Sequence, residues 1–310
     1  MHGATPQRSR LRLAALAALL LAVPQDGKGG CLPRRLADLP VRVDQGLPIV
    51  SVMIGGHRSK LILDTGAEQT LIATPAAYSL GVQVHQEYPK TMRGLSGNFP
   101  IGKADVTISA GDTVLTRRGV SVGPISLPPL GYITPDGLLG ADILSEFEVD
   151  LDLPHELLHL YAPPPSCVIA GPLWPRPYDV IAANRSLHDR LFFPLALDGS
   201  KLTGIFDSGS DRSVLDKISA QKIGTSQVTN DQVPGIRGVT TGEVSTSAYR
   251  FRRLVLGTEE ISNPLFVTAM LNLDDAGVII GMDYLRWHRV WLSYGAHKIF
   301  VQRPTGGPNK

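Results

Sequence analysis

Two short stretches of the chain each place an aspartate, a hydroxyl residue and a glycine at the end of an apolar run. The first, residues 61–67, reads LILDTGA, and the second, residues 204–210, reads GIFDSGS. Strand interiors disfavour aspartate and glycine, so each run is predicted to end in a tight turn that carries a carboxylate. Two such turns can bring Asp64 and Asp207 face to face.

A pair of facing carboxyls can carry out general acid–base chemistry. Two carboxyls a few ångströms apart do not both ionise at low cost, so they share a proton. The ionised carboxyl can take a proton from a water held between them, and the protonated carboxyl can donate to an oxygen of the substrate. The residue types therefore predict hydrolysis without a covalent intermediate. An isolated turn of either kind would be an ordinary structural feature.

The two turns belong to an internal repeat, which separates a matched pair from two unrelated turns. Asp64 and Asp207 are 143 residues apart, and two later features recur at an offset of 141. These are the glycine-bounded segments 94–97 and 235–238, and the apolar segments 137–144 and 278–285. Unrelated hairpins of an ordinary all-β protein would not place the two aspartates at matching positions of a repeat.

Composition and turn signals predict many short strands and few helices. The chain has 32 glycines and 24 prolines, and its valine, isoleucine and threonine residues recur in short runs. Hairpins are predicted at Gly55-Gly56 and at Asp198-Gly199. Short helices are predicted over residues 75–80, 141–147, 216–222 and 282–288. The expected organisation is a first lobe over 39–162, a proline-rich linker over 163–186, a second lobe over 187–303 and a tail over 304–310.

The N-terminal segment, residues 1–30, reads as a signal peptide followed by a short arm. Arg8, Arg10 and Arg12 precede an apolar run over residues 13–23, which is too short to span a bilayer. A periplasmic or secreted protein is expected, with an uncleaved anchor as the alternative. The two cysteines, Cys31 and Cys167, either form one disulfide in an exported chain or remain two free thiols.

Other partners find little support in the sequence. The net charge is +2 and no dense basic run follows the N-terminal segment, so no nucleic-acid partner is expected. Residues 155–159 read HELLH, which fits a zinc-protease pattern, but that pattern binds metal only on a helix. Pro154 precedes it, and the repeat aligns it with a predicted hairpin and strand, so no metal is expected.

The paired motifs resemble those of the aspartic proteases of the pepsin and retropepsin type. The resemblance covers most of the chain after Pro40. It implies an all-β, bilobal pepsin-like fold, with two homologous β-barrel-like lobes and an active-site cleft between them. It also implies an aspartic endopeptidase that acts on protein or peptide substrates, needs no cofactor and is a monomer in which one chain supplies both lobes. A catalytically silent module that binds peptides or mediates dimerisation is the alternative.

The resemblance also assigns roles to individual residues. Asp64 and Asp207 become the catalytic pair, Thr65 and Ser208 brace the two loops, and Gly66 and Gly209 let the backbone approach the carboxylates. The other residues assigned to the site are those that end the two turns and those of a flap over the cleft: Ala67 and Ser210, and Gly94, Leu95, Ser96 and Gly97.

The two turns differ at their last residue, and this difference predicts an asymmetric pair. Ala67 has no hydroxyl, whereas the hydroxyl of Ser210 is expected to donate to Asp207. A hydrogen bond to the charged form stabilises it. Asp207 is therefore predicted to carry more of the negative charge, and Asp64 more of the shared proton.

Overall fold

A computed structural model gives the structure of most of the chain. It describes residues 1–3, 32–94, 97–116, 118–125, 127, 130–164, 169, 171–175, 177–224, 227–228, 236–237, 243–244, 246–271 and 276–304. Several expectations lie outside these ranges: most of the signal segment, the disulfide between Cys31 and Cys167, the flap-tip residues Leu95 and Ser96, Gly235, Gly238, and the tail after Pro304.

Strands dominate both halves of the chain, as the sequence predicts. Those of the first half are Arg34–Asp44 (β1), Leu47–Ile54 (β2), His57–Leu63 (β3), Leu71–Ala73 (β4), His85–Gly94 (β5), Gly97–Ala104 (β6), Ile108–Ala110 (β7), Thr113–Thr116 (β8), Val120–Gly123 (β9), Gly137–Leu139 (β10), Glu148–Asp152 (β11) and Leu157–Ala162 (β12).

The described residues of the second half add fifteen strands. They are Asp179–Ala182 (β13), Asn184–Arg185 (β14), Leu191–Leu197 (β15), Ser200–Phe206 (β16), Val214–Asp216 (β17), Gln227–Val228 (β18), Ile236–Arg237 (β19), Glu243–Val244 (β20), Ser247–Arg250 (β21), Arg253–Leu256 (β22), Glu259–Ser262 (β23), Leu265–Ala269 (β24), Val278–Ile280 (β25), Arg289–Ser293 (β26) and Lys298–Gln302 (β27).

The helices are short and lie where they are predicted. They are Thr74–Ser79 (α1), Ala141–Leu144 (α2), Lys217–Ile223 (α3) and Met282–Leu285 (α4), with one 3₁₀ turn at Leu153–His155. Helices α2 and α4 end three residues before the predicted bounds because the chain continues in tighter turns, such as that from the Phe147 N–H to the Leu144 carbonyl. None of the helices in the described ranges is long and apolar enough to cross a membrane.

The two predicted hairpins are confirmed, and the second strand of each leads directly to one of the aspartates. Strands β2 and β3 pair across Gly55-Gly56, and β15 and β16 pair across Asp198-Gly199. Both residues of each turn have positive φ, which is the backbone conformation that a two-residue hairpin requires. Strand β3 ends at Leu63 and β16 at Phe206, one residue before each aspartate.

The strands of the first lobe continue through β1 into a layer that both lobes share, and the second lobe has a further sheet of its own. The first lobe runs β1-β2-β3-β10-β4-β9-β6-β5, and the second runs β18-β21-β24-β17-β25-β16-β15-β22-β23. The shared layer runs β13-β27-β26-β11-β12-β1, and β11 pairs with β26 across the boundary between the lobes. The fold is therefore the predicted all-β bilobal fold.

The segment expected to be a bare linker is in part sheet. Strand β13 pairs with β27, and β14 pairs with β15, so residues 179–185 extend the sheets of the second half. The prolines of this segment end at Pro177, and every residue from there to the second lobe has the backbone N–H that a strand requires.

The shared layer carries an unexpected row of buried acids. Strand β11 alternates Glu148, Asp150 and Asp152, all buried, on one face. Opposite them in the register, β26 presents Ser293, Trp291 and Arg289 in turn. The first lobe therefore supplies the carboxylates of this interface, and the second lobe supplies most of the donors.

Every carboxylate of this row has a donor. Arg289 binds Asp150 through Nε at 2.9 Å and Nη2 at 2.7 Å, and it reaches Asp152 through Nη1 at 3.0 Å. The indole of Trp291 donates to Glu148 at 2.8 Å. Trp174, from the expected linker, donates to Asp150 at 3.0 Å. Because the carboxylates are out of water, losing one of these donors leaves a buried polar group unpaired at the lobe boundary, which is costly.

Replacing Arg289 with leucine should therefore lower the free energy of unfolding of the protein. Arg289→Leu leaves Asp150 buried without its cation, and loss of one partner of a buried pair costs roughly 3–5 kcal/mol. Urea unfolding of the full chain measures this loss. Arg253→Leu is the matched control, because it breaks an exposed pair with Glu260 that should contribute less than about 1 kcal/mol. Equal losses for the two variants would contradict the structural role of the buried row.

Candidate active site

The two aspartates occupy equivalent positions in the two lobes. Strand β3 pairs in parallel with β10, and β16 pairs in parallel with β25. These partners hold the first residue of each turn, since the Asp64 N–H donates to the Leu139 carbonyl and the Asp207 N–H to the Ile280 carbonyl, each at 3.0 Å. The segments predicted to pack against the turns are therefore their supporting strands.

The turns meet, and the two carboxyls form a hydrogen bond with each other. Glycine makes this approach feasible. A Cβ on Gly66 would overlap the carboxylate of Asp207, and a Cβ on Gly209 would overlap that of Asp64. Each turn thus leaves room for the aspartate of the other, which is the close approach expected of these glycines.

The hydroxyls of Thr65 and Ser208 brace the turns across the lobe boundary. The Thr65 hydroxyl donates to the Phe206 carbonyl at 2.8 Å and accepts the Ser208 N–H at 3.1 Å. In return, the Ser208 hydroxyl donates to the Leu63 carbonyl at 2.6 Å and accepts the Thr65 N–H at 3.2 Å. Both side chains are buried, so four backbone groups depend on two hydroxyls.

A second pair of aspartates supports each turn from behind. Asp142 accepts hydrogen bonds from the N–H and the hydroxyl of Thr70, at 2.7 and 2.8 Å. Asp283 does the same for Ser213, at 2.9 and 2.7 Å. Burial raises the pKa of both carboxyls, although these bonds oppose the rise.

Sequence reasoning left the second pair of aspartates without a role, although both lie inside the repeated segments 137–144 and 278–285. The signal was their recurrence at the same offset as the segments around them. Thr70 and Ser213 recur in the same way, at the offset of the catalytic turns.

The predicted bond from Ser210 is wrong. The hydroxyl of Ser210 donates to the Arg212 carbonyl at 2.7 Å, inside its own loop, and not to Asp207. A nearby carbonyl satisfies this hydroxyl locally, as is usual for serine in turns. The asymmetry of the pair comes from the backbone instead. Asp64 Oδ1 accepts from the N–H groups of Gly66 at 3.1 Å and Ala67 at 2.8 Å, whereas among the backbone groups of its own turn Asp207 Oδ1 accepts from Gly209, at 2.9 Å.

These bonds reverse the predicted location of the proton. Burial raises the pKa of both carboxyls, but the two N–H bonds to Asp64 hold its pKa back. Burial, the charge of Asp64 and the hydrogen bond between the carboxyls together raise the pKa of Asp207 well above its usual range. The unequal backbone bonds therefore favour the charge on Asp64 and the shared proton on Asp207, the opposite of the bias expected from Ser210.

The structure shows the paired strands of the hairpin that is expected to form the flap. Strands β5 and β6 pair antiparallel up to Gly94 and Gly97, and β6 joins the first lobe through β9. Leu95 and Ser96, at its tip, lie outside the described residues. In the second lobe, Ile236–Arg237 pairs with Glu243–Val244 near the matching position.

The zinc-protease pattern does not lie on a helix. His155 ends a 3₁₀ turn and binds Asp152 at 2.6 Å, and Glu156 has a left-handed backbone. His159 lies on strand β12, where its Nδ1 is 2.7 Å from Asp38. The two histidines therefore serve different structural contacts.

A comparison with protein families fits this geometry. The model of the aspartyl protease family matches the chain twice, over residues 50–143 and 193–284. The two matches together cover more than half of the chain, and each contains one of the two aspartate turns. The chain belongs to the aspartyl protease family. The double match to this retropepsin-like family agrees with the two lobes, and it implies a protease-type function with peptide substrates. A comparison with curated proteins found no match.

Removing the Ser208 hydroxyl should weaken both turns. Ser208→Ala leaves the Leu63 carbonyl and the Thr65 N–H buried without this partner, at a cost of roughly 1–3 kcal/mol for each group. Ser208→Thr is the control, because the equivalent position of the first turn already holds a threonine with the same bonds. Thermal unfolding of both variants measures the effect, and an alanine variant as stable as the threonine variant would contradict the brace.

Asp207→Asn should stabilise the protein at neutral pH. The pKa of Asp207 is raised above the ordinary 3.8, so the folded chain keeps a proton that the unfolded chain has lost. Stability of the native protein therefore falls as pH rises through the window above 3.8, and an asparagine, which needs no proton, avoids that loss.

Urea unfolding at pH 7 and near pH 3 tests this prediction. The asparagine variant should exceed the native protein at pH 7, and the difference should shrink toward pH 3. Asp112→Asn, in an exposed turn, should change neither value. An asparagine variant that is less stable at pH 7 would show that Asp207 is ionised in the folded protein.

Proposed function

We propose that this protein is an exported aspartic endopeptidase in which Asp64 and Asp207 are the catalytic pair. The observation that carries the proposal is the contact between two carboxyls that equivalent turns of a duplicated fold bring together. Thr65 and Ser208 hold these turns in register, so the pair is preorganised before substrate arrives. One chain supplies both lobes, and the proposed active form is therefore a monomer.

Each carboxyl has its own role in the proposed reaction. Water held between them attacks the carbonyl carbon of the scissile peptide, Asp64 takes the proton that the water loses, and Asp207 gives its proton to the carbonyl oxygen. The tetrahedral intermediate then collapses. Asp64 passes its proton to the leaving nitrogen, Asp207 recovers one from the intermediate's hydroxyl, and both return to their starting states.

The hairpin of β5 and β6 is proposed as the flap that covers the bound peptide, with Gly94, Leu95, Ser96 and Gly97 at its tip. Its two glycines allow a bendable tip whose amides can bind an extended chain. Export rests on the sequence of residues 1–30, whose basic start and short apolar run are typical of a signal peptide. N-terminal sequencing of protein recovered outside the cytoplasm tests that part separately.

Cleavage of an unfolded protein such as casein tests the function directly. Asp64→Asn and Asp207→Asn should each lower kcat/KM by about 10²–10⁴-fold, because general acid–base groups contribute that much. Asp189→Asn, at an exposed ion pair with Arg185, is the matched control and should retain full activity. Circular dichroism of each variant checks that the fold is intact.

The alternatives give different outcomes in the same assay. Pepstatin, which carries a hydroxyl that mimics the tetrahedral intermediate, should inhibit cleavage, and a metal chelator should leave it unchanged. Peptide binding without cleavage by the native protein would favour the silent module and overturn the proposal. Full activity in either asparagine variant would overturn the assignment of the pair.

A further inference from the structure

A buried arginine of the second lobe reaches into the first catalytic turn. Arg190 lies immediately before β15, and Glu68 directly follows Ala67 at the end of the first turn. Arg190 Nη2 is 2.8 Å from Glu68 Oε1, and the arginine side chain is only 4 % exposed. The ion pair therefore crosses the lobe boundary beside the aspartates.

The second lobe fixes the arginine firmly. Its guanidinium carbon lies 5.5 Å from the centre of the Phe192 ring. The Arg190 N–H donates to the hydroxyl of Ser186, and the Ser186 N–H donates to the Arg190 carbonyl at 2.8 Å. A cation that is held at both its backbone and its head group can act as a rigid clamp.

Among the described residues, the clamp is present on one side of the repeat only. The residue equivalent to Glu68 is Asp211, and the residue equivalent to Arg190 is Leu47, which carries no charge. Asp211 is instead paired with its neighbour Arg212, at 2.6 Å, inside its own loop. The first turn is thus joined to a cation of the opposite lobe, and Leu47 can offer no such cation to the second turn.

The clamp also acts on the carboxyls themselves. The Ala67 N–H that donates to Asp64 precedes Glu68 by one residue, so holding Glu68 helps to fix that bond. The positive charge of Arg190 lowers the pKa of both Asp64 and Asp207, against the larger effect of burial. The buried cation therefore favours a negative charge on the pair.

We propose that Arg190 is a positioning residue for the aspartate pair, which clamps the first turn through Glu68 and places a buried positive charge beside both carboxyls. This role rests on the proposed function. Arg190 touches neither water nor peptide in it, and acts through Glu68 and the carboxyls. The clamp favours one negative charge on the pair, and the two backbone N–H bonds of the first turn place that charge on Asp64.

Four variants of the full chain separate charge from structure. Arg190→Gln removes the cation and leaves the charge of Glu68, Glu68→Gln does the reverse, and the double variant removes both charges. Arg190→Lys keeps the charge but loses the guanidinium fork. The matched control is Arg185→Gln, five residues upstream, which breaks an exposed pair with Asp189.

The expected result is an ordered set of pH profiles. Arg190→Gln should move the acidic limb of kcat/KM upward by on the order of one pH unit, because a nearby cation no longer favours the ionised carboxyl. Glu68→Gln should move it downward or leave it in place, the double variant should fall between the two single variants, and the lysine variant should stay near the native profile. The arginine control should not move.

Titration of the carboxyl carbons of Asp64 and Asp207 by ¹³C NMR reads the same order without any cleavage. A native protein that cleaves nothing but shows the ordered titrations would overturn the proposed function and keep the clamp. If the pH profiles and the titrations of all four variants coincide with those of the native protein, even where stability is reduced, the proposed effect of the clamp on the pair is overturned. If Arg190→Gln does not fold, Glu68→Gln, the lysine variant and the double variant still decide the order.

Discussion

The contact between Asp64 and Asp207 is the constraint on which the rest of the structure depends. Two carboxylates at hydrogen-bonding distance repel each other strongly unless one of them holds a proton. The fold has to hold them together against that repulsion, and the groups that bring the turns into contact are uncharged. Gly66 and Gly209 open the space, and two buried hydroxyls tie the loops.

Duplication supplies the frame, and departures from the repeat make the two halves unequal. At the shared layer, Glu148 of the first lobe is equivalent to Arg289 of the second, so one lobe is acidic where the other is basic. At the catalytic turns, the buried cation Arg190 is equivalent to the apolar Leu47. Two identical lobes would place like charges opposite each other in the shared layer. They would also give the two aspartates the same surroundings, so neither would hold the proton in preference to the other. The differences between the two halves therefore stabilise the contact between the lobes and distinguish the two aspartates.

The sequence predicted most of the frame because the repeat constrained it. Matching offsets placed the hairpins, the supporting strands and the short helices, and they placed both aspartates at strand ends. Contacts between side chains from distant positions were harder to foresee. The Ser210 hydroxyl had two acceptors within reach of its loop, and only the folded backbone shows that it takes the Arg212 carbonyl.

The buried row on β11 was missed for a related reason. Alternating charges normally indicate a solvated strand face, and the donors that bury Glu148 and Asp150 come from a strand about 140 residues later. Arg190 and Glu68 were likewise invisible, because their pairing depends on how the lobes meet.

One measurement tests the central claim most directly, namely the number and position of protons between the two carboxyls. Neutron diffraction from deuterated crystals of the unliganded protein at neutral pH locates them. The account predicts one deuteron between the carboxyls, bonded to an oxygen of Asp207 and directed at Asp64. A deuteron bonded to Asp64 would contradict the assigned roles, and two bare carboxylates would contradict the shared proton itself.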